Sequence, residues 1–391
     1  MPVISRRTVA VAVALLAGCG RADTAVPSAG PVAACPARTG GSRWAASGSA
    51  EYRKVADYGA EPREWLNEIG GIVSRGDSVF VYAAPLAEVR VLDAMLRPLG
   101  RFGREGQGPG EMQKMLDLGM RGRGWRWMDL SGDTLLVYDG QRIQLFAPSG
   151  AYRGHAYDRE IEAGAFSDEG PRVALHRGAL LAARGGYHIA TRADMERGSR
   201  WDLVRFAAGR AQPVLSLQLA PLPRSGGVPF NGPQQARPLW DVAGDCLVAT
   251  DGTGGWLVRA AAAPSRVDTL PLTLPDLPLP KVDVADLERT LGGASRGRGG
   301  YQEPTAIRRI STLVIDPDGY VWLLPQQDSS HLGGEVEVVR VSTATGAAVR
   351  DTVPAFPAAF GPPGVFYARG TKREDGIETV ARYELHSAPP P

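Results

Sequence analysis

The sequence predicts an all-β chain, and two observations carry that expectation. The first is a short run that opens on a turn residue pair and continues with consecutive apolar residues. It occurs as G-D-S-V-F-V-Y (Gly76 to Tyr82), G-D-T-L-L-V-Y (Gly132 to Tyr138) and, more weakly, R-G-A-L-L-A-A (Arg177 to Ala183). It returns as G-D-C-L-V-A-T (Gly244 to Thr250), D-G-Y-V-W-L-L (Asp318 to Leu324) and P-G-V-F-Y-A-R (Pro363 to Arg369). The Gly and Asp residues suit tight turns with unusual backbone angles, and the apolar runs suit buried strands. The second observation is an alternating segment that follows most copies: Glu88 to Leu92, Arg142 to Phe146, Asp202 to Phe206, Trp256 to Arg259, Glu337 to Val341 and Thr379 to Leu385. A turn and a third run often come next, as at Pro148 to Tyr152 and Thr343 to Val349. An apolar strand precedes several copies, as at Trp125 to Leu130 and Ile310 to Ile315. Four antiparallel strands per unit, in six units, describe a six-bladed β-propeller.

Only five copies carry their own outer strand. The sixth runs out after Leu385, while E-Y-R-K-V-A-D (Glu51 to Asp57) stands before the first copy without a partner. That N-terminal strand is expected to close the last blade, because a closed ring leaves no sheet edge exposed.

Composition agrees. The chain of 391 residues is 43% hydrophobic and 22% charged, with 49 Gly and 31 Pro, a turn-rich but globular balance. Of 44 basic residues only four are Lys (Lys54, Lys114, Lys281, Lys372). The Arg excess reads as a GC-rich coding bias. A formal net charge of +2 gives no field favouring nucleic acid, and none is expected as a partner.

The first 18 residues read as a signal peptide. Arg6 and Arg7 form a positive start, and Thr8 to Gly18 is an apolar run of eleven residues. A bilayer span needs about 20 residues, so the run is too short to cross. It ends in L-L-A-G-C (Leu15 to Cys19), which resembles the lipobox of bacterial lipoproteins. The resemblance implies that Cys19 takes a diacylglyceryl group on sulfur and that cleavage precedes it. The acylated N-terminus would then anchor in a lipid bilayer. Gly20, by resemblance to Gram-negative sorting, points to the outer membrane. Residues 19–50 read as a flexible tether, rich in Ala, Gly, Pro, Ser and Thr. Cys35 lies in it and is expected to stay unpaired, with Cys246 a small buried strand residue; the alternative is a bridge between them, which an oxidising compartment allows.

The propeller is expected over residues 51–391, with a long insertion at about 264–303. That insertion contains an extended Leu270 to Pro280, a short capped helix at Asp283 to Leu291 and a Gly/Arg-rich stretch ending at Tyr301. Loops of this length are usually functional or disordered. A second departure is the Gly/Pro/Gln-rich stretch from Pro221 to Pro238.

R-F-G-R-E-G-Q-G-P-G-E (Arg101 to Glu111) resembles the G-x-x-G-x-G-P-G-E signature of bacterial six-bladed propeller proteins, distant relatives of NHL-repeat propellers. V-I-D-P-D-G-Y-V-W-L-L (Val314 to Leu324) is similar to NHL and lactonase-type repeats. The resemblance spans about residues 50–386 and implies the architecture. It leaves function open, since such folds host both binders and enzymes.

Candidate chemistry is sparse. Asp129 and Asp241 each lie four residues before the Asp of a Gly-Asp pair, on the expected innermost strand, so both would face the channel and could hold a divalent cation. The matching positions elsewhere are Val73, Ala174 and Val314, which leaves the ligand set incomplete. Gly293 to Gly297 formally fits G-x-S-x-G but lacks the strand and packed helix of a nucleophile elbow. Asp316 to Gly319 resembles the start of a calcium loop and reads better as a hairpin turn. The five His show no metal spacing. Arg and aromatic residues that could stack on a ligand occur at Arg121, Arg123 and Trp125, and at Arg296, Arg298 and Tyr301.

The reading as a whole is a monomeric, membrane-tethered envelope lipoprotein. It is expected to bind a protein, peptide or glycan, with no catalytic residues and no cofactor assigned. The alternative is a metal-dependent hydrolase or lyase of the lactonase or streptogramin-lyase propeller type.

Overall fold

The structure, a computed structural model, describes residues 51–66, 68–114, 128–139, 142–156, 166–167, 170–171, 173–176, 179–185, 193, 197–198, 200–207, 210–221, 224–225, 228–229, 238–244, 246–261, 267–274, 309–326, 335–370 and 377–386. The chain opens with β1 (Glu51–Tyr58). Blade one is β2 (Ile69–Arg75), β3 (Ser78–Ala83), β4 (Glu88–Asp93) and β5 (Pro98–Phe102). Blade two is β6 (Met128–Ser131), β7 (Thr134–Tyr138), β8 (Ile143–Phe146) and β9 (Tyr152–Ala156). A two-stranded hairpin, β10 (Phe166–Ser167) and β11 (Gly170–Pro171), precedes blade three. Blade three is β12 (Val173–His176), β13 (Ala179–Gly185), β14 (Arg200–Ala207) and β15 (Arg210–Gln218). A second hairpin, β16 (Arg224–Ser225) and β17 (Val228–Pro229), leads to blade four: β18 (Leu239–Ala243), β19 (Cys246–Thr250), β20 (Trp256–Ala261) and β21 (Val267–Pro271). Blade five is β22 (Ile310–Ile315), β23 (Tyr320–Pro325), β24 (Val336–Ser342) and β25 (Ala348–Val353). Blade six is β26 (Pro357–Phe360), β27 (Val365–Arg369) and β28 (Val380–His386), and β1 is its fourth strand.

The expected six-bladed propeller, closed by the N-terminal strand, is therefore the observed fold. β1 runs antiparallel to β28, with Glu51 opposite His386 and Tyr58 opposite Val380. Two short hairpins were not anticipated. One falls within the stretch 221–238 read as a loop. β21 lies inside the stretch 264–303 read as an insertion; the rest of that stretch from residue 275, with the helix expected at 283–291, lies outside the described residues.

Packing explains the continuous apolar runs. Successive residues of a strand point to opposite faces, and each second strand is buried on both. On β3, Phe80 and Tyr82 join the core shared with blade two, while Val79, Val81 and Ala83 join the core shared with blade six. On β19, Leu247 and Ala249 face blade three; Cys246 and Val248 face blade five. On β23, Val321 and Leu323 face blade four; Trp322 and Leu324 face blade six. A strand at the middle of a blade thus has no wet face, and its sequence cannot alternate.

The third strands add polar rivets. Arg205, Arg259, Arg340 and Arg382 occupy one register, opposite the third residue of the second strand in blades three to six. Arg259 donates to the Thr343 carbonyl of blade five and pairs with Asp268 at 2.6 Å. Arg340 pairs with Asp351 at 3.0 Å, both nearly buried, and the Tyr52 hydroxyl of β1 donates to the same carboxylate at 3.3 Å. Arg382 reaches the Met95 sulfur of blade one at 3.1 Å.

Trp322 ties blade five to blade six. It is fully buried, lies 5.7 Å from the Phe360 ring and 6.3 Å from the Phe366 ring, and sits under the Arg340 guanidinium at 5.4 Å. Trp322→Ala is expected to cost about 3–5 kcal/mol, read as a lower urea midpoint. A loss below about 1 kcal/mol would show that the interface refills the space.

Candidate functional site

Topology divides the ring into two faces. First strands run into tight hairpins with second strands, closed by Arg75 and Ser78, Ser131 and Thr134, His176 and Ala179, and Ala243 and Cys246. The third-to-fourth connections emerge on that same side. Among the described strands, no connection on this turn face is longer than five residues. The second-to-third and blade-to-blade connections emerge on the opposite, loop face. They include residues 103–127, 186–199, 219–238 and 272–309. Among the connections between the described strands, every one longer than five residues thus starts and ends on the loop face.

The turn face holds a cavity of about 350 Å³ where the first strands end. Ile72, Val73 and Ser74, Asp129 and Leu130, Ala243, Ile315 and Asp316, and Ala358 to Phe360 line it, drawn from blades one, two, four, five and six. Its wall is mainly apolar, with Ser74, Asp129 and Asp316 as side-chain polar groups.

The two aspartates picked from the sequence lie on β6 and β18, as expected. Their carboxylates bridge blades. Asp129 accepts the Leu175 N–H of blade three at 2.8 Å. Asp241, 2% exposed, accepts the Ile315 N–H of blade five at 2.9 Å and the Val242 N–H at 2.8 Å. Ser74 of blade one makes a comparable link, donating to the Phe360 carbonyl of blade six at 2.5 Å. Among the described residues no group of three or more His, Cys, Asp or Glu is placed to hold a metal.

Asp316 closes the hairpin read from Asp316 to Gly319. One carboxylate oxygen accepts the Asp318 and Tyr320 N–H groups, each at 2.9 Å, and the other accepts Trp322 Nε1–H at 2.8 Å. Burial nevertheless dominates and pushes its pKa from 3.8 up to about 6, with Asp318 adding to the rise. Sequence spacing marked the turn and not this proton, because the rise comes from burial of the carboxylate, which only the fold sets.

Cys246 also lines the cavity, at the start of β19. It is disulfide-bonded. This corrects the expectation of a simple buried thiol: a short apolar run reads the same whether its sulfur is free or bridged. The chain has three cysteines, and the other two, Cys19 and Cys35, lie outside the described residues.

On the loop face, the Gly-rich segment after β5 is folded onto blade two. Gly103 has φ +85° and Gly110 φ +74°, and a Cβ on Gly103 would collide with Met112. The Glu111 carboxylate accepts the Gly108 N–H at 2.8 Å and Arg104 Nε–H at 2.8 Å. Arg142 donates to the Gln107 and Glu111 carbonyls, and Gln144 to the Glu111 carbonyl and to Asp139. The segment is thus a clamp between blades one and two. The candidate ligand residues Arg121, Arg123 and Trp125 belong to the connection from β5 to β6, and Arg296, Arg298 and Tyr301 to that from β21 to β22. All six lie outside the described residues, as does the lipidation candidate Cys19. Both connections start and finish at strand ends on the loop face.

No family model matches the chain, and no curated protein does. Solved structures are similar to it. A member of the DUF4221 family from Bacteroides vulgatus is 8% identical, covering 87% of this chain and 99% of its own, with a TM-score of 0.50. A protein described as exported, from Bacteroides fragilis, is 9% identical over 87% of this chain and 95% of its own, at 0.45. A streptogramin B lyase is 10% identical over 86% and 98%, at 0.40. At 8% identity the likeness to the DUF4221 member is one of fold.

Asp316 gives a pH test. Its folded pKa of about 6 lies above its ordinary 3.8, so the folded state holds the proton more tightly than the unfolded chain. The stability this adds is fully present below about 3.8 and is lost as pH rises through about 6. Asp316→Asn stays neutral throughout. Its stability relative to wild type is expected to rise by up to about 3 kcal/mol between pH 4 and 7. A difference that stays flat across that window would show that Asp316 titrates as it does when unfolded.

Proposed function

We propose that this chain is a lipid-anchored extracytoplasmic propeller that binds a protein, peptide or glycan partner on its loop face, as a monomer and without catalysis. The observation that carries the reading is the asymmetry of the ring. Among the described strands, tight hairpins join strand ends on one face, and every longer connection starts and ends at strand ends on the other. Variable loops on a rigid scaffold are where binding residues concentrate. Both candidate Arg/aromatic groups fall on connections of that face. Guanidinium and aromatic planes together recognise carboxylates and sugar or base rings.

The anchor fits the same geometry. Glu51 pairs with His386, and the Leu385 N–H reaches the Gly364 carbonyl in the first hairpin of blade six at 2.8 Å. Both ends of the propeller therefore leave from the turn face. A tether running from Glu51 back to an acylated Cys19 would be attached on that face, opposite the loop face. The disulfide at Cys246 is in keeping with an oxidising compartment. The residue after Cys19 is Gly20, which by the Gram-negative sorting pattern favours the outer membrane.

A second reading, a metal-dependent hydrolase or lyase, is favoured by one observation. Asp129 and a protonatable Asp316 line the same cavity. It requires a cation held through Asp129 and Asp241.

Two measurements check these readings. Cys19→Ala is expected to move the protein from the membrane to the soluble fraction, and wild type to show the acylated N-terminal peptide by mass spectrometry; an unmodified Cys19 in a membrane-free protein overturns the anchor. The full-length protein is then probed with arrayed glycans and envelope peptides. The combined Arg121→Ala, Arg123→Ala, Trp125→Ala variant is expected to lose at least tenfold in retention with unchanged melting. Stoichiometric metal by elemental analysis, with a calcium-dependent melting shift abolished in Asp129→Asn and Asp241→Asn, would establish the second reading instead.

A further inference from the structure

We propose that the cavity on the turn face binds a small organic ammonium ion, an amine with a compact apolar body. The site is separate from the loop-face binding proposed above and does not depend on it. At about 350 Å³ the cavity falls at the lower end of the volumes that hold small molecules, about 300–1,000 Å³. Ile72, Leu130, Ile315 and Phe360 supply apolar wall from blades one, two, five and six. A mainly apolar pocket with a few placed polar groups is the form that small-molecule sites take.

The charge of the wall selects the ligand. The described residues that line the cavity include Asp129 and Asp316, and no Lys, Arg or His. Asp129, on β6, is half-buried, and the Leu175 N–H of the next blade fixes its carboxylate at 2.8 Å. It is the carboxylate that a ligand can touch. Asp316 is 1% exposed, and Asp318, Tyr320 and Trp322 already donate to its two oxygens. It acts by charge alone. Its pKa of about 6 leaves it ionised at neutral pH, and a charge felt through protein counts for more than one felt through water. Ser74 spends its proton on the Phe360 carbonyl, and a hydroxyl oxygen that donates its proton still accepts. A primary ammonium brings three donors to these acceptors, and its apolar body matches the rest of the wall.

The same wall disfavours other occupants. A hard divalent cation such as calcium takes about six to eight oxygen ligands, and among the described residues no three His, Cys, Asp or Glu are placed to hold one. An anion would meet two carboxylates. A neutral molecule would gain the apolar contact alone. An organic ammonium ion uses both halves of the wall. The lining comes from blades one, two, four, five and six, so it exists only when the ring is assembled, and an occupant stabilises the ring by mass action.

The test uses the full-length protein and four probes of similar size: hexylammonium, phenethylammonium, neutral phenylpropanol and anionic phenylpropanoate. Each is titrated by calorimetry at neutral pH, with thermal melting measured in parallel. An ammonium ion is expected to bind one to one, with a dissociation constant below about 1 mM, and to raise the melting temperature. The neutral and anionic probes are expected to bind at least tenfold more weakly. Asp129→Asn keeps an acceptor for the Leu175 N–H and removes the charge; it is expected to weaken the ammonium ion at least tenfold, and Asp316→Asn to weaken it less. Ala358→Leu puts a larger side chain on the cavity wall and is expected to abolish binding; if that variant does not fold, Asp129→Asn decides alone. No binding by either ammonium ion overturns the inference. Equal binding of the neutral or the anionic probe overturns it too, as does ammonium binding that Asp129→Asn leaves unchanged. Calcium binding without ammonium binding overturns it in favour of the metal-dependent reading.

Discussion

Everything in this molecule depends on the pairing of β1 with β28. The two strands come from opposite ends of the described chain, residues 51–58 and 380–386. Until they meet, blade six has three strands and an open edge, and unpaired strand edges invite association with other chains. Bringing such distant segments together costs loop-closure entropy, though the cost grows only with the logarithm of length. The pairing is reinforced from the next blade, where the Tyr52 hydroxyl donates to Asp351. Burial and that neighbouring carboxylate push the Tyr52 hydroxyl well above its ordinary pKa, so it stays a donor at any physiological pH.

Blade-to-blade contact is mainly apolar, and the charges within it need justification. Burying an ion pair seldom adds net stability over apolar residues of the same size. The arginines at one register of β14, β20, β24 and β28 are better understood as devices of geometry. Arg259 finds a backbone carbonyl on the next blade, and Arg382 a sulfur across the closure between blades six and one. Asp129, Asp241 and Ser74 act alike nearer the axis, each linking adjacent first strands. An apolar interface tolerates sliding by small steps. A side chain that must meet a particular N–H or carbonyl sets the rotation of one blade against the next.

The sequence made the blades legible because their chemistry is local. A Gly-Asp hairpin such as Gly132, with φ +58°, can be recognised within a few residues. The doubly buried second strands stand out as unbroken apolar runs. The lone strand at Glu51 was legible by arithmetic, since only five fourth strands could be found. What escaped was everything fixed between blades. The Arg rivets share a register but are hidden in a chain whose basic residues are nearly all Arg. The positions of Asp129 and Asp241 were legible, and their backbone partners on the next blade were not, because those partners lie 46 and 74 residues away. Asp316 showed its turn and concealed its shifted proton. Cys246 showed its burial and concealed its bond.

The faces of the ring differ because the chain connects its strands in two ways. First-to-second and third-to-fourth connections between the described strands are hairpins of five residues or fewer. Second-to-third connections and blade-to-blade connections both leave on the other side, and several of each are longer, as at 186–199 and 272–309. The long segments therefore gather on one side, whatever they bind. The same connectivity puts both ends of the propeller on the other side, because β1 must run from the turn face to the loop face to serve as a fourth strand. Strands of about six residues hold the two faces roughly 20 Å apart. In the proposed arrangement the tether is attached on the turn face, about that far from the loops. Fold closure by an N-terminal strand and attachment of the tether opposite the long loops are then one constraint. A chain closed instead by a C-terminal strand would leave its N-terminus on the loop face, and the tether would start among those loops.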